Sequence, residues 1–388
     1  MTNHTTNNSM RRSLGITVGL AMLSVGLLVG CTPVASTATS DTGGTTAATA
    51  APTPTATAAA FGSPNGVTCD DLAPLASVRA ASANSNQATP AQLEFGNKTP
   101  ELRDIALPLA GGLDCLWQDS TSDNFMTVKL LPNASSALDA AKSTLATTND
   151  ATDSHHAKNV PTYGDESWSA CVGSATSTFD PCDINIGVGN YWIDVTFYRG
   201  DGKSNYPESA ARQALVTGVV TAVKALPASP ATWKPATASS LASSSCTSVT
   251  TAAVLKSTLG ISGGKAVGSD QFLFAPIDLA AYAAAGVTSC WWGDPSGATT
   301  VSYVYAPGGS AVWSQTDGPP AASGSGLVPV AGIGDAAWQV CTNEEGFGEC
   351  EGYFLVGSDW IELLYGSGTK ATTTQFDAFA KAVVAAVK

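Results

Sequence analysis

Asp183-Ile184-Asn185-Ile186-Gly187-Val188-Gly189-Asn190-Tyr191-Trp192-Ile193-Asp194-Val195-Thr196-Phe197 is the stretch that decides the fold. Ile184, Ile186 and Val188 alternate into Gly189-Asn190, and Ile193, Val195 and Phe197 alternate out of it. Period-two alternation marks a half-buried strand, and a two-residue turn led by Gly suits the twist of an antiparallel pair. The stretch therefore predicts a β-hairpin with its isoleucines and valines on a core. Trp192 and Asp194 then share the opposite face. Gly357-Ser358-Asp359-Trp360-Ile361-Glu362 repeats the turn and the returning strand, with Trp360 and Glu362 in the same places.

Working outward, the repetition extends over the whole second half of the chain. Cys69-Asp70-Asp71-Leu72 is answered by Cys246-Thr247-Ser248-Val249, and Cys115-Leu116-Trp117 by Cys290-Trp291-Trp292. Gly164-Asp165 with Trp168 and Cys171 is answered by Gly334-Asp335 with Trp338 and Cys341. Each copy predicts a short helix after its first Cys (residues 70–81; 247–259), then alternating strands ended at Pro132 and Pro307. Copy one has a helix near 135–147 that is short or lost in copy two. An amphipathic helix closes each copy: Leu215, Val219 and Leu226 share one face, as do Phe376, Ala380, Val383 and Val387. Asn205…Glu208 and Thr372…Gln375 read as capping boxes at the two starts. The expected fold is α+β, with two tandem similar domains, each an antiparallel sheet with helices packed on one side and two disulfides. Residues 62–228 form the first domain and 240–388 the second, with a Pro/Ala/Ser linker at 229–239.

The nine cysteines divide as one, four and four. Four cysteines allow three pairings. First with second and third with fourth is the economical choice, because the third and fourth flank a loop between neighbouring strands. The expected bridges are Cys69–Cys115, Cys171–Cys182, Cys246–Cys290 and Cys341–Cys350. In the loop-entropy picture the long ones contribute about 4 kcal/mol each and the short ones about 3. Zinc is the rival use of four cysteines, but a close Cys-x₂₋₄-Cys pair is missing and an exported protein meets an oxidising compartment. No metal and no cofactor are expected.

The ninth, Cys31, ends Leu28-Val29-Gly30-Cys31 behind Arg11-Arg12 and an apolar run from Leu14. This ending resembles the bacterial lipobox. The resemblance implies that residues 1–30 are a lipoprotein signal peptide and that Cys31 carries acyl chains which hold the protein on the outer face of the cell membrane. Residues 31–61 are Thr-, Ala- and Pro-rich and cannot bury enough apolar surface to offset the entropy of ordering, so they read as a disordered tether. A flexible coil of that length spans roughly 30 Å. Loss of residues 1–30, with two Arg and no acidic side chain, takes the net charge from −13 to −15. With no basic cluster, nucleic acid is excluded as a partner.

The Cys-x-x-Leu, Cys-x-Trp and Gly-Asp elements, in a chain with a lipobox, are similar to a group of actinobacterial cell-envelope lipoproteins of unknown function. They are also similar to the two-disulfide extracellular sensor domains of actinobacterial membrane kinases. The resemblance covers each copy and implies binding or sensing; it carries over no catalytic residue. Trp192 with Asp194, and Trp360 with Glu362, are the candidate binding residues, since an aromatic ring beside a carboxylate suits a sugar or a small cationic group. The competing use of each Trp is packing over a disulfide or under a helix. His155 and His156 read as a solvated loop. Asp119, Asp165 and Asp194, mirrored by Asp294, Asp335 and Glu362, are the carboxylates on which an alternative reading, an exported hydrolase of cell-wall glycan, would rest, with Asp165 and Asp335 the pair to mutate first. The expected function is therefore non-enzymatic: a membrane-anchored protein with duplicated binding or sensing domains. Its partners are the membrane through Cys31, and a cell-wall glycan, small ligand or envelope protein.

Overall fold

The two hairpins anchor two sheets of the same topology. The computed structural model describes residues 64–82, 91–94, 102–118, 125–147, 155–156, 160–172, 182–198, 209–230, 233, 246–262, 265–267, 276–293, 299–315, 326–344, 347–368 and 371–388. Residues 1–63, on which the expected signal peptide, Cys31 and the expected tether fall, lie outside the described residues.

In the first repeat the elements run α1 (Cys69–Leu72), α2 (Leu75–Ala81), β1 (Ala91–Glu94), α3 (Leu102–Leu109), β2 (Leu113–Gln118) and β3 (Phe125–Pro132). They continue with α4 (Ser135–Thr147), β4 (His155–His156), β5 (Glu166–Val172), β6 (Cys182–Val188), β7 (Tyr191–Tyr198) and α5 (Ala210–Lys224). The second repeat opens with α6 (Cys246–Val249), α7 (Ala252–Leu259), β8 (Lys265–Val267), α8 (Pro276–Ala285), β9 (Thr288–Gly293) and β10 (Thr299–Ala306). It closes with α9 (Ser310–Gln315), β11 (Val328–Pro329), β12 (Ala336–Glu344), β13 (Phe347–Val356), β14 (Asp359–Ser367) and α10 (Thr373–Val387). The sheet orders are β1-β2-β3-β7-β6-β5-β4 and β8-β9-β10-β14-β13-β12-β11. Every α-helix and strand described in one repeat has its counterpart in the other, so the chain is α+β with one plan used twice.

Local chemistry explains the elements. Gly189 (φ 54°) and Gly357 (φ 62°) supply the positive φ that the first position of a tight hairpin turn requires. The helix expected after the first Cys is two short helices in each repeat. Pro74 starts α2 without an N–H to give, and the Thr251 side chain accepts the amide of Val254 to start α7. Thr372 caps α10 as expected. The start of α5 is Ser209, whose hydroxyl accepts the Arg212 amide; Asn205 and Glu208 lie outside the described residues.

Three of the four expected bridges are formed among the described residues. Cys69–Cys115 and Cys246–Cys290 tie each first helix to its Cys-x-Trp strand, with Cα atoms 5.6 Å apart in both. Cys341–Cys350 crosses β12 and β13. Cys171 and Cys182 stand opposite each other in the β5–β6 register, as Cys341 and Cys350 do; their side chains lie outside the described set.

One face of each sheet carries the helices that its sequence pattern calls for. Leu215, Val216, Val219, Val220 and Val223 of α5 pack on Ile184, Ile186, Ile193 and Val195, and Phe376, Phe379, Val383 and Val387 of α10 pack on Phe354, Ile361 and Leu363. Each such side chain contributes about 1.5–3 kcal/mol by leaving water. Helices also cover the second face, which the one-sided expectation leaves bare. There α3 and α8, the equivalent helices of the two repeats, pack on each other; α3 also reaches β10 and β14, and α8 reaches β3. Ile105, Leu107, Leu131, Trp168, Trp192, Ile277, Tyr282, Trp313 and Trp360 form one buried cluster across this seam. Residues Ala56–Lys388 are accordingly one compact unit, in which each repeat would expose part of a core if taken alone. Among the described residues no helix is long and apolar enough to cross a membrane.

Candidate functional site

Strand alternation puts Trp192, Asp194 and Thr196 of β7 on the seam face, and Trp360 and Glu362 of β14 on the matching face of the second sheet. That much agrees with the sequence. The expectation that they line an open site does not: Trp192, Asp194 and Trp360 are 0 % exposed and Glu362 is 6 % exposed. Alternation tells which face a residue takes, and the helices of both repeats have closed over that face. Trp192 packs at 6.4 Å on Trp168 and its Nε1 donates to Asn185 Oδ1 at 2.8 Å. Trp360 stands edge-on to Trp313 at 5.0 Å and near Tyr353 at 6.1 Å, while Trp313 also touches Trp338 at 4.8 Å. Packing under helices is the role these tryptophans take.

What the seam brings together beside Trp192 is a line of polar groups. The register places Asp114, Lys129, Asp194, Asn185 and Trp168 side by side across β2, β3, β7, β6 and β5. Asp183 and Thr196 are opposite each other in the next row. Lys129 Nζ donates to both carboxylate oxygens of Asp278 at 2.7 Å, so an ion pair joins β3 of one repeat to α8 of the other. This pair is mostly covered, with 17 % and 20 % of the two side chains exposed. Thr196 Oγ1 lies 2.5 Å from Asp183 Oδ1 and 3.3 Å from Asp194 Oδ1. Asp194 Oδ2 is buried, with no hydrogen-bond partner among the described residues.

Burial sets the electrostatics of these groups. It pushes Asp183 up to about 6, against the Thr196 hydroxyl and the Lys129 charge, with Asp278 adding to the rise. Burial also raises Asp194 well above the usual carboxylate range, and the neighbouring Asp183 charge raises it further, while Lys129 and Thr196 oppose. For Lys129, burial alone would lower the ammonium; Asp278, Asp114 and Asp194 outweigh it and hold it charged. The two aspartates thus share a place where a proton is held more readily than in water.

The second repeat has the same row with other chemistry: Ser289, Val304, Glu362, Tyr353 and Trp338. Here the Tyr353 hydroxyl donates to Glu351, whose carboxyl is raised by burial first, with the Tyr353 bond opposing and Glu349 reinforcing.

The Gly-Asp elements have structural work. Asp165 Oδ2 accepts the Gly189 amide at 2.7 Å and Asp335 Oδ2 accepts the Gly357 amide at 2.6 Å, so each carboxylate holds its hairpin turn. The amides of Asp165 and Asp335 in turn bond to the carbonyls of Gly187 and Leu355. Gly164 and Gly334, both at φ 64°, are needed beside them, since a Cβ at either would sit 2.4 Å from the same carbonyl oxygens. His155 and His156 form β4, opposite Val172 and Cys171; their side chains lie outside the described set. Among the described residues no group of three or more His, Cys, Asp or Glu is arranged to hold a metal.

Sequence reasoning passed over Lys129, Asp183, Asn185, Thr196 and Asp278. A signal existed for the first four, since polar side chains recur on the non-core face of β3, β6 and β7. Asp278 carried none, because nothing local says that an Ala-rich helix of one repeat covers a strand of the other. No family model, curated protein or solved structure matches the chain.

Proposed function

We propose that the chain is a lipid-anchored protein of the outer face of the cell membrane that binds or senses rather than turns over a substrate, with the docking of its two repeats as its working part. The observation that carries this reading is the charged cluster of Lys129, Asp278, Asp183 and Asp194 inside the seam. Covering such groups costs several kcal/mol of hydration, and an apolar seam of the same volume would often be as stable or more so. A seam that keeps them is suited to a state change that a smaller shift in conditions can tip. The lipobox at Cys31, the tether and the disulfide-stapled repeats supply the setting, in line with the resemblance to actinobacterial envelope lipoproteins and kinase sensor domains. A cell-wall glycan, a small ligand or an envelope protein remain the candidate partners.

The hydrolase reading gains one observation: its paired carboxylates are better sought at Asp183 and Asp194, one of which is raised toward the range of a general acid. Both lie under the seam, away from a polymer. Two measurements on the full chain test the proposal together. Palmitate labelling should be lost in Cys31→Ala, with globomycin-sensitive processing of the wild type. Native mass spectrometry of protein taken from its own envelope should show a retained small ligand or none, while wall polymer incubated with the protein stays intact. Turnover that disappears in Asp194→Asn would establish the hydrolase instead.

A further inference from the structure

The geometry points to Asp183, Thr196 and Asp194 as a proton-binding site whose occupancy sets how tightly the two repeats dock; this deepens the sensing reading by naming its ligand. Thr196 has one hydroxyl hydrogen and stands between two carboxylate oxygens, 2.5 Å and 3.3 Å away. One hydrogen cannot serve both. With a proton on Asp194, Oδ1–H donates to Thr196 Oγ1 and the hydroxyl donates to Asp183 Oδ1, so all three oxygens are matched. Asp194 Oδ2, which has no partner among the described residues, is then a neutral carbonyl oxygen rather than half of a buried charge, a much smaller desolvation cost.

The same proton acts on the seam through Lys129. This ammonium lies beside Asp194 in register and is held bidentately by Asp278 of the second repeat. When Asp194 ionises, Lys129 has a second anion to neutralise on its own sheet, and Asp278 faces one more negative charge. Both effects weaken the Lys129–Asp278 ion pair between the repeats. When Asp194 is protonated, Lys129 faces only Asp278 and Asp114 of the three.

Asp114 of β2 adds negative charge next to Lys129. Glu166 of β5 is neutralised by Lys142 of α4 at 2.6 Å, and Asp139 on α4 is exposed. Tyr282 is the other titratable group of α8; the side chains of Arg103 and Asp104 on α3 and of His155 and His156 on β4 lie outside the described set. Among the described residues none replaces the Thr196 link between the two aspartates.

The sign follows from the direction of the shifts. Both carboxyls are raised in the folded protein, Asp183 to about 6 and Asp194 well above its ordinary value. Their contribution is therefore fully present below the ordinary carboxylate range and is lost as pH rises through about 6 and beyond. Acid tightens the seam and neutral pH loosens it, by at most about tenfold per pH unit for one proton.

The test is hydrogen exchange at the amides of α3 and α8 in the full chain in detergent, from pH 5 to 8, corrected for intrinsic exchange. The opening equilibrium should rise with pH in the wild type by about tenfold or more beyond its rise in Asp194→Asn, in which Asp183 alone still titrates. Infrared spectra at pH 5 should show a protonated carboxyl band that is weaker in Asp194→Asn. Asp183→Asn gives the same comparison should Asp194→Asn fail to fold. Parallel exchange profiles in wild type and variant, or no protonated carboxyl at pH 5, would overturn the proton site while leaving a retained ligand in the mass spectrum standing. Turnover of wall polymer would overturn the sensing reading and leave the titration as measured.

Discussion

The seam faces of the two repeats use one register for two kinds of chemistry. In the first repeat the row reads Asp114, Lys129, Asp194, Asn185 and Trp168; in the second it reads Ser289, Val304, Glu362, Tyr353 and Trp338. The other faces have not diverged in this way: Ile186, Ile193 and Val195 under α5 correspond to Phe354, Ile361 and Leu363 under α10. A face that packs on its own repeat is constrained by that repeat's core. A face that packs on the other copy only has to complement it, so one side is free to carry the charges and the other to carry the aromatics. Trp168 and Trp338 remain common to both.

The hardest way to break this comparison is to remove the tryptophans that both faces keep. Trp192→Ala and Trp360→Ala should each lower the unfolding free energy by about 3–5 kcal/mol, as deletion of a large buried aromatic does, read by urea denaturation of the full chain. The conservative change separates the two faces. Trp192→Phe leaves Asn185 Oδ1 without its donor, an added cost of about 1–2 kcal/mol for a buried acceptor. Trp360→Phe orphans no described group, because Trp360 Nε1 has no partner among the described residues. Equal losses for the two Phe variants would show that the polar row of the first repeat contributes nothing to holding Trp192.

Next in size is the ion pair that joins the charged face to the second repeat. Lys129→Met leaves Asp278 and the two aspartates without a counter-charge; with the pair partly open to solvent, the loss should be about 2 kcal/mol, below that of a fully buried pair. Lys129→Met combined with Asp278→Leu should recover most of it, since two apolar side chains then meet where two charges did. A double variant as unstable as the sum of its parts would mean that the two groups do not act as a pair.

How much of this was legible follows from which interactions are local. The hairpins, the closing helices, the Cys69–Cys115 and Cys246–Cys290 bridges and the placement of Trp192 and Trp360 on a non-core face could be read from alternation, turn residues and spacing. Each depends on neighbours a few residues away or on a pattern seen twice. The helices α3 and α8 were not read: α3 is amphipathic but only eight residues long with Pro108 in its last turn, and α8 is apolar almost all round and shows no stripe. Yet these two decide whether Trp192 meets water or a core. Asp278 meets Lys129 across 149 residues of chain, and no local pattern encodes such a meeting.

The smallest expected effect asks whether the Gly-Asp elements are the same device in both repeats. Asp165 and Asp335 each accept one turn amide at 2.7 Å and 2.6 Å, on an exposed edge where water can take over the freed N–H. Asp165→Ala and Asp335→Ala should therefore each cost about 1 kcal/mol, near the lower end for a hydrogen bond to a charged group, and by nearly the same amount. The hairpin beneath each turn keeps its register, because Gly189 and Gly357 still supply the positive φ. Matching small losses would confirm a structural device duplicated with the fold. A loss confined to one repeat would mark that turn as the place where the copies have parted, and loss of wall-polymer turnover without loss of stability in either variant would return these carboxylates to catalysis.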